Sequence, residues 1–126
     1  MTKQSLTTLD HEFTIHRFNS TDAIPKNIFK SKYYWIGRTD EELSIICDSN
    51  ILLNSSKSES NWSILKIIGE IDFALIGILA DISNALSKAE ISIVALSTYN
   101  TDYIMIKTIN LEKAKRVLQK AGYTIY

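Results

Sequence analysis

The sequence predicts an α+β fold of the ferredoxin-like kind, with the strand and helix order βαββαβ. Two observations carry this. Over residues 75–89 apolar side chains recur at spacings of three and four, which is the repeat of a helix with one buried face. Around that segment and a second helical one lie short runs rich in β-branched and aromatic residues, which are the mark of strands. A third observation concerns the remainder. Residues 1–60 contain strand-like runs and little helical pattern, so the chain is read as a helix-poor β-rich subdomain over 1–60 and an αβ domain over 61–126.

In the C-terminal part, Trp-Ser-Ile-Leu-Lys-Ile-Ile-Gly at 62–69 reads as the first strand, with Trp62, Ile64 and Ile68 on one face and Leu65 and Ile67 on the other. The helix follows, its buried stripe formed by Leu75, Ile78, Leu79, Ile82, Leu86 and Ala89 against polar Asp81, Asn84, Ser87 and Lys88. Residues 91–98 and 103–108 read as a hairpin closed by the polar turn Tyr99-Asn100-Thr101-Asp102. Asn110 suits a helix N-cap, and Leu111, Ala114, Val117, Leu118 and Ala121 form a second apolar stripe. Gly122 is placed to end that helix in the left-handed conformation, and 123–126 forms a short last strand. Two helices are expected to cover one face of a four-stranded antiparallel sheet. In the N-terminal part, 12–18, 33–38 and 43–48 are strands, and 21–29, with the single proline at Pro25, holds at most a short helix. The run Asn-Ser-Ser-Lys-Ser-Glu-Ser-Asn at 54–61 reads as a linker or exposed loop.

Composition limits the function. The 126 residues carry 14 basic and 14 acidic side chains, so no overall positive field is available for nucleic acid or an anionic membrane. The most apolar stretch, 73–80, is closed by Asp72 and Asp81 and is far short of the roughly 20 residues that span a bilayer. A cytoplasmic protein is expected. Twenty Ile and twelve Leu against two Val supply the core. The lone Cys47, within Ser-Ile-Ile-Cys, reads as an inert buried thiol. His11 and His16 fall on opposite faces of an extended segment, a poor metal pair, and read as structural. No phosphate-binding glycine loop, dinucleotide turn or nucleophile elbow is present, and no catalytic residue, metal ligand or cofactor is assigned.

Two places remain as candidates for binding. Gly77 stands near the start of the first helix, where glycine costs up to about 1 kcal/mol relative to alanine. Its absent side chain fits either close helix–sheet packing or access of a carboxylate to the first-turn amides. Asp72 just before it fits a cap or turn, or a partner for a ligand ammonium. The second place is Ser97-Thr98-Tyr99-Asn100-Thr101-Asp102-Tyr103, an ordinary polar hairpin unless the sheet edge meets a ligand.

At these residues the sequence resembles an ACT domain, of the tandem amino-acid-sensing kind found in the arginine-sensor (CASTOR-like) family and its bacterial relatives. The matching stretches are Gly69-Glu70-Ile71-Asp72-Phe73, Ile76-Gly77-Ile78-Leu79-Ala80, Ala89-Glu90-Ile91-Ser92-Ile93 and Leu96-Ser97-Thr98-Tyr99-Asn100-Thr101-Asp102-Tyr103-Ile104. The resemblance covers 62–126. It extends more weakly over 12–48, where Tyr34-Trp35-Ile36 and Leu43-Ser44-Ile45-Ile46 look like the paired strands of a reduced ACT-like unit. It implies a non-catalytic regulatory module that binds a small ligand, usually an amino acid, between paired units, with an enzyme as a possible regulated partner. The first strand, apolar on both faces, calls for a second layer from the first half or from another chain, so a homodimer is expected. One wall of the site maps to Ile71, Asp72, Phe73, Ile76 and Gly77, and the other to Ser97, Thr98, Tyr99 and Asp102. One departure stands out: Glu90 occupies the helix-to-strand turn where many relatives carry Gly.

Overall fold

A computed structural model describes residues 4–68 and 77–126. It contains β1 (Ser5–Thr8), β2 (Phe13–Phe18), β3 (Tyr34–Arg38), β4 (Leu43–Asp48), β5 (Lys57–Ile67), α1 (Ile78–Lys88), β6 (Ile93–Ser97), β7 (Asp102–Lys107), α2 (Leu111–Lys120) and β8 (Thr124–Ile125). A short 3₁₀ turn, Lys26–Lys30, lies between β2 and β3. The chain forms two compact units: His11–Trp62, and the chain from Ser63 onward together with β1.

The second of these has the α+β, ferredoxin-like architecture, with one addition. The expected four-stranded antiparallel sheet is corrected to five strands in the order β6-β7-β5-β1-β8. Strand β1 lies where the last strand would meet the first. It pairs antiparallel with β5 (Leu6 opposite Ile67) and parallel with β8 (Leu6 opposite Ile125). Its sequence, Ser-Leu-Thr-Thr, carries one apolar residue, which is too little to announce a strand. That residue, Leu6, is fully buried in the core with Leu65, Ile67, Ile104 and Ile106 of the sheet and Ile82, Leu86, Ala114 and Leu118 of the helices. From Trp62 to Leu65 every residue of β5 is buried, so both faces of the strand are covered there.

Both helices end in the same hydrogen-bonded motif. Ile91 N–H donates to the Leu86 carbonyl and Glu90 N–H to that of Ser87; Tyr123 N–H donates to Leu118 and Gly122 N–H to Gln119. This is the Schellman arrangement, which requires a left-handed residue after the cap. Gly122 supplies it at φ 104° as expected, whereas Glu90 adopts it at φ 61°. The departure at Glu90 is thus a strained residue in a glycine position. Asn110 does precede α2, but its side chain makes no capping hydrogen bond.

The His11–Trp62 unit is an antiparallel sheet in the order β3-β4-β2-β5. Ile36 stands opposite Ile45, so the stretches read as paired strands do pair. Phe18, Ile28, Leu43, Ile45 and Cys47 form its core. Burial and the Asp48 carboxylate raise the Cys47 thiol to a pKa of about 11, which keeps it protonated and inert. Residues 54–61 are not wholly a loop: from Lys57 the run is strand β5, held by backbone pairing to β2 while its side chains stay exposed. His11 lies outside β2 in a left-handed conformation, so the two histidines do not share an extended segment. His16 is buried, with Nδ1 2.9 Å from Ser55 Oγ. No cluster of three or more metal-ligating side chains occurs among the described residues.

The left-handed conformation costs a residue with a side chain about 1–2 kcal/mol, and the extra freedom of unfolded glycine returns about 0.5–1 kcal/mol. Glu90→Gly is therefore expected to stabilise the protein by about 0.5–1 kcal/mol in denaturant titrations, and Gly122→Ala to destabilise it. Burial lowers the His16 pKa from 6.5. The unfolded chain then takes up a proton that the folded one resists, so stability is present above about pH 6.5 and is lost as pH falls. Denaturant midpoints at pH 7.5 and 5.5 are expected to drop more for the wild type than for His16→Gln.

Candidate functional site

The site is built from the end of β5, the start of α1 and the β6–β7 hairpin. Residue by residue, the structure treats the candidates differently. Ile71, Asp72, Phe73 and Ile76 lie outside the described residues. Gly77 is not inside the helix but immediately before it, at the N-cap, with φ 92°. Glycine is required there by the backbone, so the expected in-helix cost does not arise. Its carbonyl accepts the first helical hydrogen bond, from Asp81 N–H at 2.8 Å. A Cβ at this position would meet no described atom within 4 Å. A glycine offers no capping side chain, so the first amides of α1 keep their partial positive charge without help from this residue.

Asp81, in the first turn of α1, accepts a short hydrogen bond from the Tyr123 hydroxyl. Tyr123 is buried, and that burial together with the Asp81 carboxylate raises its pKa well above the usual tyrosine value. The contact ties the start of α1 to the residues just before β8.

The hairpin brings together Ser97, Thr98 and Asp102. Ser97 and Asp102 are directly opposed in the β6–β7 ladder, and Ser97 Oγ donates to Asp102 Oδ1 at 2.5 Å. Thr98 N–H donates to the Thr101 carbonyl at 2.9 Å, and the Thr98 hydroxyl donates to the same carbonyl at 3.1 Å. These side chains form a polar group on the hairpin, part of whose hydrogen-bonding capacity is used internally. Tyr99 is not drawn into the group: at 91% exposure it stands out from the turn. Strand β6 pairs only with β7 among the described residues, so its outer edge presents backbone donors and acceptors.

Thr101 is the residue that reading the sequence missed. It is buried, and its hydroxyl donates to the Ile67 carbonyl at 2.9 Å, fastening the hairpin to the end of β5. Nearby, Ile68 N–H donates to the Ser5 carbonyl at 2.8 Å, so β1 holds the same end of the strand. A threonine in a turn signals a polar loop; its distant acceptor is visible only in the fold. Thr101→Val keeps the volume and removes the donor. It is expected to cost about 1–3 kcal/mol in equilibrium unfolding, and to broaden or shift NMR signals of Ile67 and Ile68.

Comparison with known proteins bears on these elements. Residues 57–120, half of the chain, match the sequence profile of the ACT domain, and residues 11–54 match that of a separate N-terminal domain. None of the curated proteins matches the sequence. Among solved structures, an Agrobacterium tumefaciens protein is 28% identical, with a TM-score of 0.92 over 100% of this chain and 94% of its own. The regulatory subunit of aspartate kinase from Thermus thermophilus, in its ligand-free form, is 12% identical, with a TM-score of 0.62 over 90% of this chain and 96% of its own. Aspartate kinase from Clostridium acetobutylicum is 15% identical, with a TM-score of 0.67 over 93% of this chain but only 34% of its own.

Proposed function

Since the chain belongs to the ACT domain family, we propose that it is a non-catalytic regulatory module that binds an amino acid where ACT units meet. In this reading it is of the tandem amino-acid-sensing kind. The carboxylate of the ligand sits on the first amides of α1 and its ammonium on Asp72. Ile71, Phe73 and Ile76 line the same wall as Gly77, and Ser97, Thr98, Tyr99 and Asp102 line the opposite one. The observation that carries the proposal is Gly77: a left-handed N-cap residue, with no described atom within 4 Å of where its Cβ would be, leaves a helix N-terminus without a capping side chain and suits an anion. The structural likeness to regulatory parts of aspartate kinases supports the regulatory side of the reading.

The module acts by binding. Ligand that prefers one conformational or associated state shifts the equilibrium by its difference in affinity. A homodimer joined along the open edge of β6 supplies the second unit, and the effector output passes to a separate enzyme. The zero formal charge accords with a zwitterionic ligand and with a cytoplasmic protein that touches neither nucleic acid nor membrane. No helix among the described residues is long and apolar enough to cross a membrane.

One observation favours a second reading, an interaction subunit with no small ligand: Ser97, Thr98 and Asp102 already have partners within the hairpin. A thermal-shift panel of the common amino acids separates the two. The sensor reading expects one or a few to raise the melting temperature; at a hundred times Kd the gain is about 2.7 kcal/mol. Asp72→Ala should abolish that gain and leave the unliganded melting temperature nearly unchanged. A folded protein that responds to none of them would favour the interaction subunit.

A further inference from the structure

The His11–Trp62 unit has an open cleft of about 600 Å³ on the sheet face of β4, β2 and β5. Strand alternation puts Ile15 and Arg17 of β2 on one face, and the register places Ser44 and Lys57 on either side of Arg17, with Glu59 beside Ile15. Glu42, just before β4, completes the rim.

The charges in this cleft are unevenly satisfied. Arg17 and Lys57 are directly opposed across β2 and β5. Like charges in that position lie about 5 Å apart at Cβ and destabilise a sheet. Glu42 does not neutralise both. One of its oxygens accepts the Ser44 hydroxyl at 2.6 Å, and the other is 3.9 Å from Arg17 Nε, beyond hydrogen-bond range. The other Arg17 contact, from Nη2 to the Glu41 carbonyl, is at 3.5 Å. Glu59 has interactions of its own, whereas the Lys57 side chain makes no hydrogen bond or ion pair among the described residues, its backbone alone being paired with β2. Arg17 and Lys57 thus sit side by side at one end of the apolar Ile15 side chain, with most of their donors unspent.

We infer that this cleft binds a small organic carboxylate, held by Arg17 and Lys57 with its apolar portion on Ile15. Arg17 suits a planar carboxylate through its forked donors, and Lys57 adds a point charge. The site is separate from the Gly77 region and does not depend on the reading given above for it.

The test is an NMR titration of the full chain with sodium propionate, with sodium chloride at matched ionic strength and sodium phosphate as parallel arms. Propionate is expected to give saturable amide shifts at residues 15–17, 44 and 57–59, leaving residues 77–80 unmoved. Lys57→Gln should weaken that response at least fivefold while the rest of the spectrum is retained. Without added anion at low salt, Lys57→Gln should also raise the melting temperature, because it removes a like-charge pair; a fall would mean that Lys57 serves an internal ion pair, and would overturn the proposal. So would shifts that chloride reproduces, or a propionate response unchanged in Lys57→Gln. Tighter saturation by phosphate than by propionate would overturn the assignment to a carboxylate.

Discussion

The C-terminal unit depends on one strand that hydrogen-bonds along both of its edges. Strand β1 lies between β5 and β8, and Leu6 faces Ile67 on one side and Ile125 on the other. Fully burying a leucine contributes about 1.5–3 kcal/mol, and Leu6 is buried within the cluster that also takes in residues of both helices. The two-residue strand β8 has no other described partner in the sheet. The end of β5 beside the candidate site is likewise held by Ser5 as well as by Thr101. Backbone pairing by a segment with one apolar residue therefore sets the position of the helices and of the hairpin.

This explains which parts of the fold the sequence reveals. Periodicity exposes elements that bury a face. The stripe Ile78, Leu79, Ile82, Leu86 marks α1, and the strands of the hairpin and of the His11–Trp62 unit are evident from their β-branched and aromatic residues. Elements that owe their structure to a partner's backbone leave little trace. Strand β1 is of this kind, and so is the exposed start of β5, where Lys57, Ser58, Glu59 and Ser60 look like a linker because no side chain is buried.

The candidate site divides in the same way. Gly77 is conspicuous because glycine breaks a helical pattern, although its true place is one residue before the helix, where the left-handed backbone calls for it. Ser97 and Asp102 are recognisable as a polar pair across a turn. Thr101, by contrast, acts through a carbonyl far away in sequence, and its composition resembles any turn residue. Glu90 falls between the two. Its mismatch with related sequences is legible, but its meaning follows only from the matching hydrogen bonds at Ile91 and Tyr123, which show two helices terminated alike by a strained residue and an unstrained one.

The inserted strand also has a bearing on how the protein is made. During synthesis β1 leaves the ribosome before the whole of the His11–Trp62 unit and well before β5 and β8, the two strands it joins. Its edges stay unpaired over that interval, while the intervening unit builds a core of its own from Phe18, Ile28, Leu43, Ile45 and Cys47. Closing the Leu6–Ile67 contact brings together distant parts of the chain, and such non-local pairing slows folding far more than it weakens the finished structure. The polar composition of Ser-Leu-Thr-Thr then acquires a second use: a waiting strand with one leucine and three hydroxyls is a poor template for aggregation.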